Sequence, residues 1–259
     1  MRPAYAFVRR PSADMAHVEL THYERVPIDV GLARQQHDRY RAALAADGLP
    51  VRELPPLDSQ PDGVFVEDVM LALPERFVMC RSGAVSRRGE VEPTAAALPS
   101  DRPLVRIEAP GTLDGGDVLR LGRRLYVGLS SRSNRAAVEQ LAALLGPLGY
   151  SVAGVPMDAA LHLKSAVTAL DEDTILGSPA WIDLGGFGAR RVVDVAPDEP
   201  GAGNALAVGG RVFVQAAHPG TAERVRRAGY AVELLDVSEF AKAEAALTCM
   251  SVLVPPAAG

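Results

Sequence analysis

Cysteine is nearly absent from this chain: 259 residues hold two, Cys80 and Cys249. Two thiols exclude the disulfide framework that staples small secreted domains. A single bridge stays open, but reduced thiols in a cytosolic protein are the expectation. Lysine is just as scarce, with two against 25 arginines. The arginines are scattered rather than clustered, and the formal net charge is -5. Neither feature suits a nucleic acid or an anionic membrane as partner. Long apolar runs are missing too. None approaches the roughly 20 residues a membrane helix needs, and the run Ala4 to Val8 is too short for the core of a signal peptide. The cytoplasm is therefore the expected location. No Cys-x-x-Cys or His-Glu-x-x-His pair is present, and "DGGDV" has neither the lysine nor the spacing of a phosphate loop. Neither a metal nor an organic cofactor is expected.

What the chain does have is an ordinary globular composition, 48% apolar and 23% charged, and a repeat. One copy, "GGDVLRLGRRLYVGLSSRSNRAAVEQLAALLGPLGYSVAGVPM", begins at Gly115. Another, "GNALAVGGRVFVQAAHPGTAERVRRAGYAVELLDVSEF", begins at Gly203. Each opens with a short apolar strand, a tight turn containing glycine and a second strand. A helix of period 3.6 follows, marked by Val138, Leu141, Leu144 and Leu145 in one copy and by Ala222, Val225 and Ala228 in the other. Ser133 and Thr221 are candidate N-caps. Gly149 and Gly229 end the helices, and a third strand follows. Weaker copies lie in "FVEDVMLALPERFVMCR", in "LKSAVTALDEDTILGS" and at the N-terminus. The last of these is completed by "CMSVLVP" from the far end of the chain. Five units of strand, strand, helix and strand predict radial repetition within a single domain, 1–259. A plain α/β sandwich is the alternative.

Ionisable residues interrupt the apolar openings of these units: Asp62, Glu67 and Asp68 in "PDGVFVEDVML", Asp114 and Asp117 in "PGTLDGGDVLRL", and His162 and Lys164 in "ALHLKSAVTAL". Cys249 holds the matching place in the last unit. Each has a purely structural explanation, as a turn aspartate, a hydrogen-bonded core histidine or an inert packed thiol. Their equivalence in the repeat changes that balance, because unit starts in a radial array converge on one central channel. A thiol is a nucleophile when ionised, and histidine is its acid and base partner. Carboxylates around the sulfur would raise its pKa. That is a poor arrangement for attack on a neutral amide, but it makes sense if the substrate is itself a cation.

The motifs "PDGVFVEDV", "SRRGE", "GTLDGGDVL", "VGLSSRSN", "LHLKSAV" and "LTCMSV" together resemble the dimethylarginine dimethylaminohydrolase family. They run in family order from about Asp62 to Val252. The resemblance implies the pentein fold, a five-bladed α/β propeller of pseudo-fivefold ββαβ repeats. It also implies hydrolysis of Nω-methylated arginine, asymmetric dimethyl or monomethyl, to citrulline and a methylamine through a covalent thiouronium. Carried over by motif, Cys249 is the nucleophile and His162 the general acid and base. Asp68 and Asp114 hold the guanidinium, and Asp62 and Glu67 line the pocket. Arg87 and Arg132 bind the α-carboxylate, and Leu20 is the lid residue whose backbone meets the substrate. The implied partner is a small cationic amino acid, and the chain itself is a monomer or a homodimer. Two alternatives stay open: an arginine deiminase-like hydrolase acting on unmethylated arginine, and a noncatalytic arginine-binding protein of the same fold.

Overall fold

The structure is a computed structural model that describes residues 2–46, 48–157 and 160–258. The repeat unit is visible in it directly. In the third blade β6 (Val118–Leu121) turns back antiparallel into β7 (Arg124–Leu129). The helix α3 (Arg135–Leu145) then crosses over to β8 (Ser151–Pro156), which lies parallel to β7. A parallel pair needs such a crossover, because a tight turn can only reverse the chain. The fifth blade repeats the scheme with β12 (Leu206–Val208), β13 (Arg211–Gln215), α5 (Pro219–Arg227) and β14 (Ala231–Leu235). The second blade uses β3 (Met70–Ala72), β4 (Phe77–Met79), the short α2 (Val91–Ala96) and β5 (Leu104–Arg106). The fourth follows α4 (Leu163–Ala166) with β9 (Val167–Ala169), β10 (Thr174–Gly177) and β11 (Arg191–Asp194). Only a single helical turn, Leu184–Phe187, stands in its crossover.

The first blade is assembled from both ends of the chain. β1 (Tyr5–Val8) is followed by α1 (Val30–Ala45) and the parallel β2 (Val51–Glu53). Its antiparallel inner strand is β15 (Ser251–Val254), with Tyr5 opposite Val254 and Val8 opposite Ser251. Pairing the last strand with the first closes the ring. The five inner strands β15, β3, β6, β9 and β12 line one channel, which opens into a cavity of about 720 Å³ on one side. The radial repetition expected from the repeat, and the five-bladed α/β propeller that the resemblance implied, are the observed fold.

Apolar packing lies in five clusters rather than one central core, because the channel occupies the axis. Leu125 and Val127 of β7 meet Ala137, Leu141 and Leu145 of α3, and Val78 and Cys80 complete that cluster. On α1 the buried residues Ala33, Gln36, His37, Tyr40, Ala43 and Leu44 form one face at helical spacing. They pack against Phe240, Leu247 and Met250 near the end of the chain.

Two local expectations need correction. Ser133 does not cap α3; Asn134 does, its side chain accepting from Ala137 N. The Ser133 hydroxyl instead accepts from Asp114 N at 3.0 Å. Thr221 lies inside α5, which starts at Pro219 after His218. Pro at the first helical position costs no hydrogen bond there, and the Thr221 hydroxyl serves Ala196 N of the preceding segment. The ionisable residues also do not sit on strands. Glu67 and Asp68 lie on a single helical turn, Val66–Val69, and Asp117 on another, Gly115–Asp117. Leu163–Ala166 is helical as well, and Cys249 lies in the turn Thr248–Met250. Each turn leads directly into the inner strand of its blade.

Candidate active site

These turns set the geometry of the site. A helical turn before an inner strand points its polar side chains across the channel mouth, while the strand keeps its apolar alternation below. His162 is the N-cap residue of α4 and has an extended backbone. Its Nε2 lies 3.2 Å from Asp114 Oδ2, and its Nδ1 lies 3.9 Å from Asp68 Oδ1. Gly116 donates its N–H to the same Asp68 oxygen at 3.0 Å. A Cβ on Gly116 would come within 2.7 Å of both Asp68 Oδ1 and His162 Nδ1, so only glycine leaves room for the ring there.

The supporting groups hold this trio from behind. Asp117 accepts from Leu163 N at 3.0 Å, fixing the backbone next to His162, and from the Ser130 hydroxyl at 2.7 Å. Arg87 donates to Asp68 Oδ2 at 2.6 Å and grips Glu90 through Nε and Nη2, each at 3.0 Å. Its Nη2 also reaches the carbonyl of Phe65. Arg87 thus stands behind Asp68 with nearly all its donors occupied. Arg132 is differently placed. Its Nη1 is 3.7 Å from Asp114 Oδ2, and its Nη2 donates to the Thr21 hydroxyl at 3.1 Å. Asp114 is fully buried, and its Oδ1 has no hydrogen-bond partner among the described residues. A buried carboxylate oxygen left without a donor is costly unless a ligand supplies one.

Glu67 faces another way. It accepts from Lys164 Nζ and from the Thr248 hydroxyl, both at 2.6 Å, and lines the channel cavity below. Thr248 is held in turn by Asn204, which accepts from Thr248 N and donates to its hydroxyl. Asn204 precedes the inner strand of the fifth blade, the same place that the acids and His162 occupy in theirs. The turn carrying Cys249 is therefore anchored by three hydrogen bonds from two other blades. Tyr40 adds a fourth tie, donating to the carbonyl of Leu247 at 2.9 Å. The Cys249 sulfur accepts from Ala246 N at 3.5 Å and is partly exposed, whereas Cys80 is buried.

The electrostatics follow from this crowding. Burial disfavours a charge on His162, but Asp68, then Asp114 and Asp117, outweigh it and raise its pKa, so the imidazole is cationic at neutral pH. Burial likewise works against ionised Asp68, and His162 and Arg87 overcome it and hold the carboxylate below the usual range. Burial pushes the Cys249 thiol up, and Glu67 and Asp68 push it further. Asp62 is raised by burial, against the pull of Arg87. Asp68, Asp114 and His162 each present a donor atom within 4.8 Å of the others. Such a set would hold a metal ion only after His162 gives up its proton. With its pKa raised by these acids, the His162 imidazolium is itself the cation between the two carboxylates.

Above the trio runs a segment of coil. Glu19 N donates to Asp62 Oδ2 at 3.1 Å, and the Ser86 hydroxyl donates to the Glu19 carboxylate at 2.6 Å. Leu20, partly buried, packs against the same apolar cluster as Cys249. The structure therefore brings Cys249, His162, Asp68, Asp114, Asp62, Arg132 and Leu20 around one mouth. It sets Arg87 and Glu67 in supporting positions. Sequence reasoning passed over Glu90, Ser130, Asn204 and Thr248. The i, i+3 pairing of Arg87 with Glu90 in "SRRGE" was a readable signal; Asn204 and Thr248 act through contacts between blades, and Ser130 through a contact within the third blade.

No protein-family model matches the chain. Among curated proteins, an N(G),N(G)-dimethylarginine dimethylaminohydrolase of Streptomyces coelicolor is 43% identical over 250 residues, covering 95% of each chain. The protein of the same name from Pseudomonas aeruginosa is 34% identical over 225 residues, 86% of this chain and 89% of its own. A solved structure of the Pseudomonas aeruginosa enzyme, a cysteine-to-serine mutant complexed with citrulline, matches with a TM-score of 0.91 at 31% identity. That match covers 97% of this chain and 99% of the other.

Proposed function

The chain belongs to the dimethylarginine dimethylaminohydrolase family, and on that premise we propose that Cys249, His162, Asp68 and Asp114 carry out its reaction. That reaction is the hydrolysis of Nω-methylated arginine to citrulline. The observation that carries the assignment is the buried trio of His162, Asp68 and Asp114, with one Asp114 oxygen unsatisfied. It is a place built for a planar cation with several N–H groups.

In the free protein His162 is protonated and Cys249 is a thiol. A guanidinium lying between Asp68 and Asp114 brings positive charge to the sulfur and favours the thiolate, the thiol proton passing to solvent as the substrate binds. The thiolate attacks the guanidinium carbon, and a C–S bond forms. The C–N bond to the methylated nitrogen then breaks, and His162 gives its proton to the departing amine. The resulting thiouronium is attacked by water, and His162, now neutral, takes the water's proton. The C–S bond breaks with the sulfur leaving as thiolate, citrulline keeps the oxygen of water, and the water's second proton passes through solvent to the amine, which ends as its ammonium ion. Asp117 and Gly116 keep the imidazole in line for both proton transfers.

At the other end of the substrate, Arg132 offers its guanidinium to the α-carboxylate in exchange for the Thr21 hydroxyl. Arg87 has one Nη1 hydrogen left for the same group, after Asp68, Glu90 and the Phe65 carbonyl have taken the rest. Leu20 and its neighbours close over the pocket, and Asp62 ties them down. The reacting groups come from four blades, so the site exists only in the closed ring and residues 1–259 act as one catalytic domain.

The test is citrulline formation from asymmetric dimethylarginine, monomethylarginine and arginine side by side. Both methylated substrates should be turned over. Arginine should be the poorest of the three, by about 10- to 100-fold in kcat/KM, since each methyl group is worth only about 1–3 kcal/mol. Turnover of arginine alone would move the chain to the deiminase reading.

A further inference from the structure

The segment over the site is held on two sides, and the two holds differ in kind. On the pocket side its partners are Asp62, which takes Glu19 N, and Arg132, which takes the Thr21 hydroxyl. Arg132 is a group that the proposed function assigns to the substrate, so a bound ligand competes with Thr21 for it, while Asp62 holds the strap beside the pocket. On the far side the partner is Glu244, which touches none of the reacting groups. One Glu244 oxygen accepts from Thr21 N at 3.0 Å, and the other accepts from His22 N and Tyr23 N at 2.5 Å each. Three consecutive backbone N–H groups converge on one carboxylate, which is the geometry of an anion-binding backbone concavity filled from within the chain.

The backbone at Glu244 makes the same point. Its φ is +56°, and no other non-glycine residue among the described residues has a positive φ. The position follows α6 (Ser238–Ala241), where the chain turns through Ala243 N to Phe240 O and Ala245 N to Phe240 O. Glycine is the residue that such a left-handed position favours. A glutamate there bears strain that only its side chain can offset. The segment's own base is fixed independently: Lys242 Nζ donates to the carbonyl of Pro27, and Asp29 N donates to Glu239. Its tip, Thr21 to Tyr23, depends on Glu244. Five residues further along the same loop lies Cys249.

We propose that Glu244 is the latch of the lid: its carboxylate holds the tip closed over the pocket, and the strength of that hold sets how freely substrate reaches Cys249. The idea rests on the functional reading only for what passes beneath the lid. Glu244 is a positioning residue with no part in the chemistry.

The test uses two variants. Glu244→Gly removes the carboxylate and relieves the backbone, so folding is favoured rather than threatened. Glu244→Gln keeps an acceptor oxygen for His22 and Tyr23 and loses the charge. The first readout is the rate of Cys249 carbamidomethylation by iodoacetamide without substrate, followed by peptide mass mapping to separate it from Cys80. Glu244→Gly should react about tenfold faster than the parent protein, and Glu244→Gln should fall between them. The second readout is a split in steady-state constants: for asymmetric dimethylarginine, KM should rise about tenfold in Glu244→Gly while kcat stays within about twofold. An alkylation rate in Glu244→Gly equal to the parent's overturns the latch, whatever the turnover shows. Faster alkylation in a protein that does not turn over methylarginine supports the latch and rejects the functional reading, so the two failures are told apart.

Discussion

At the scale of single residues, the site holds the proposed nucleophile, Cys249, as a thiol. Cys249 sits within reach of the charges on Glu67 and Asp68, and with burial they keep the sulfur protonated. Glu67 is the larger of the two electrostatic influences, and its partner Lys164 pulls the other way. Glu67→Gln removes the negative charge and leaves the ammonium unopposed. Both changes favour the thiolate, so the Cys249 pKa should fall. A shift of about one unit corresponds to roughly tenfold more thiolate below the pKa. The pH profile of Cys249 alkylation should therefore move to lower pH in the variant, and an unmoved or higher midpoint would remove Glu67 from the electrostatics of the sulfur. Cys249, His162, Asp68 and Asp114 were legible in the sequence because their side-chain chemistry is distinctive and their motifs recur at equivalent places. Asn204, Thr248 and Ser130 were not, because an amide or a hydroxyl tells nothing until its partner, 44 residues away for Asn204 and Thr248, is known. Arg87 was legible as a site residue and its i, i+3 partner Glu90 was readable beside it, but its commitment to Asp68 emerges only from packing.

At the scale of elements, the repeat fixed which strands pair, and the caps were misread. Ser133 and Thr221 have the chemistry of N-caps, but each hydroxyl is drawn to a neighbouring segment, Asp114 N and Ala196 N, and the helices start elsewhere. Tertiary hydrogen bonds outweighed a local preference worth about 1 kcal/mol. The helical turns before the inner strands went unrecognised for a related reason. Three or four residues are too few to show a period. Helix α1 carries a consequence that can be measured. His37 is buried between Tyr40 and Phe240, and its Nε2 has no partner among the described residues. Burial, and then Arg41, lower its pKa from 6.5 to about 4. Below pH 6.5 the unfolded chain takes up a proton that the folded chain refuses. The stability this site contributes is thus complete above pH 6.5 and is lost as pH falls toward 4. Between pH 7 and pH 4.5 the loss amounts to about 2 kcal/mol. Urea unfolding of His37→Leu should show a pH dependence shallower by that amount than the parent's; parallel pH dependences would mean that His37 is hydrated in the folded state.

At the scale of the whole molecule, the ring was readable and its contents were only partly so. The five units were readable from the repeat, and the joining of β15 to β1 from "CMSVLVP" completing the unit that "AYAFV" opens. What closure does chemically is visible only in three dimensions. Acids from the second and third blades, the imidazole of the fourth and the thiol of the last strand meet at one mouth, and a strap running from residue 18 to residue 23 is pinned across them. The central claim is that this assembly hydrolyses methylarginine through Cys249. The measurement that tests it most directly is the release of citrulline and dimethylamine from asymmetric dimethylarginine by the parent protein and by Cys249→Ser, with folding of both checked by circular dichroism. The account predicts equimolar products from the parent and a rate at least about 10³-fold lower from the folded variant, since a serine hydroxyl here lacks the base that would activate it. Equal rates from the two proteins, or no citrulline from the parent, would contradict it.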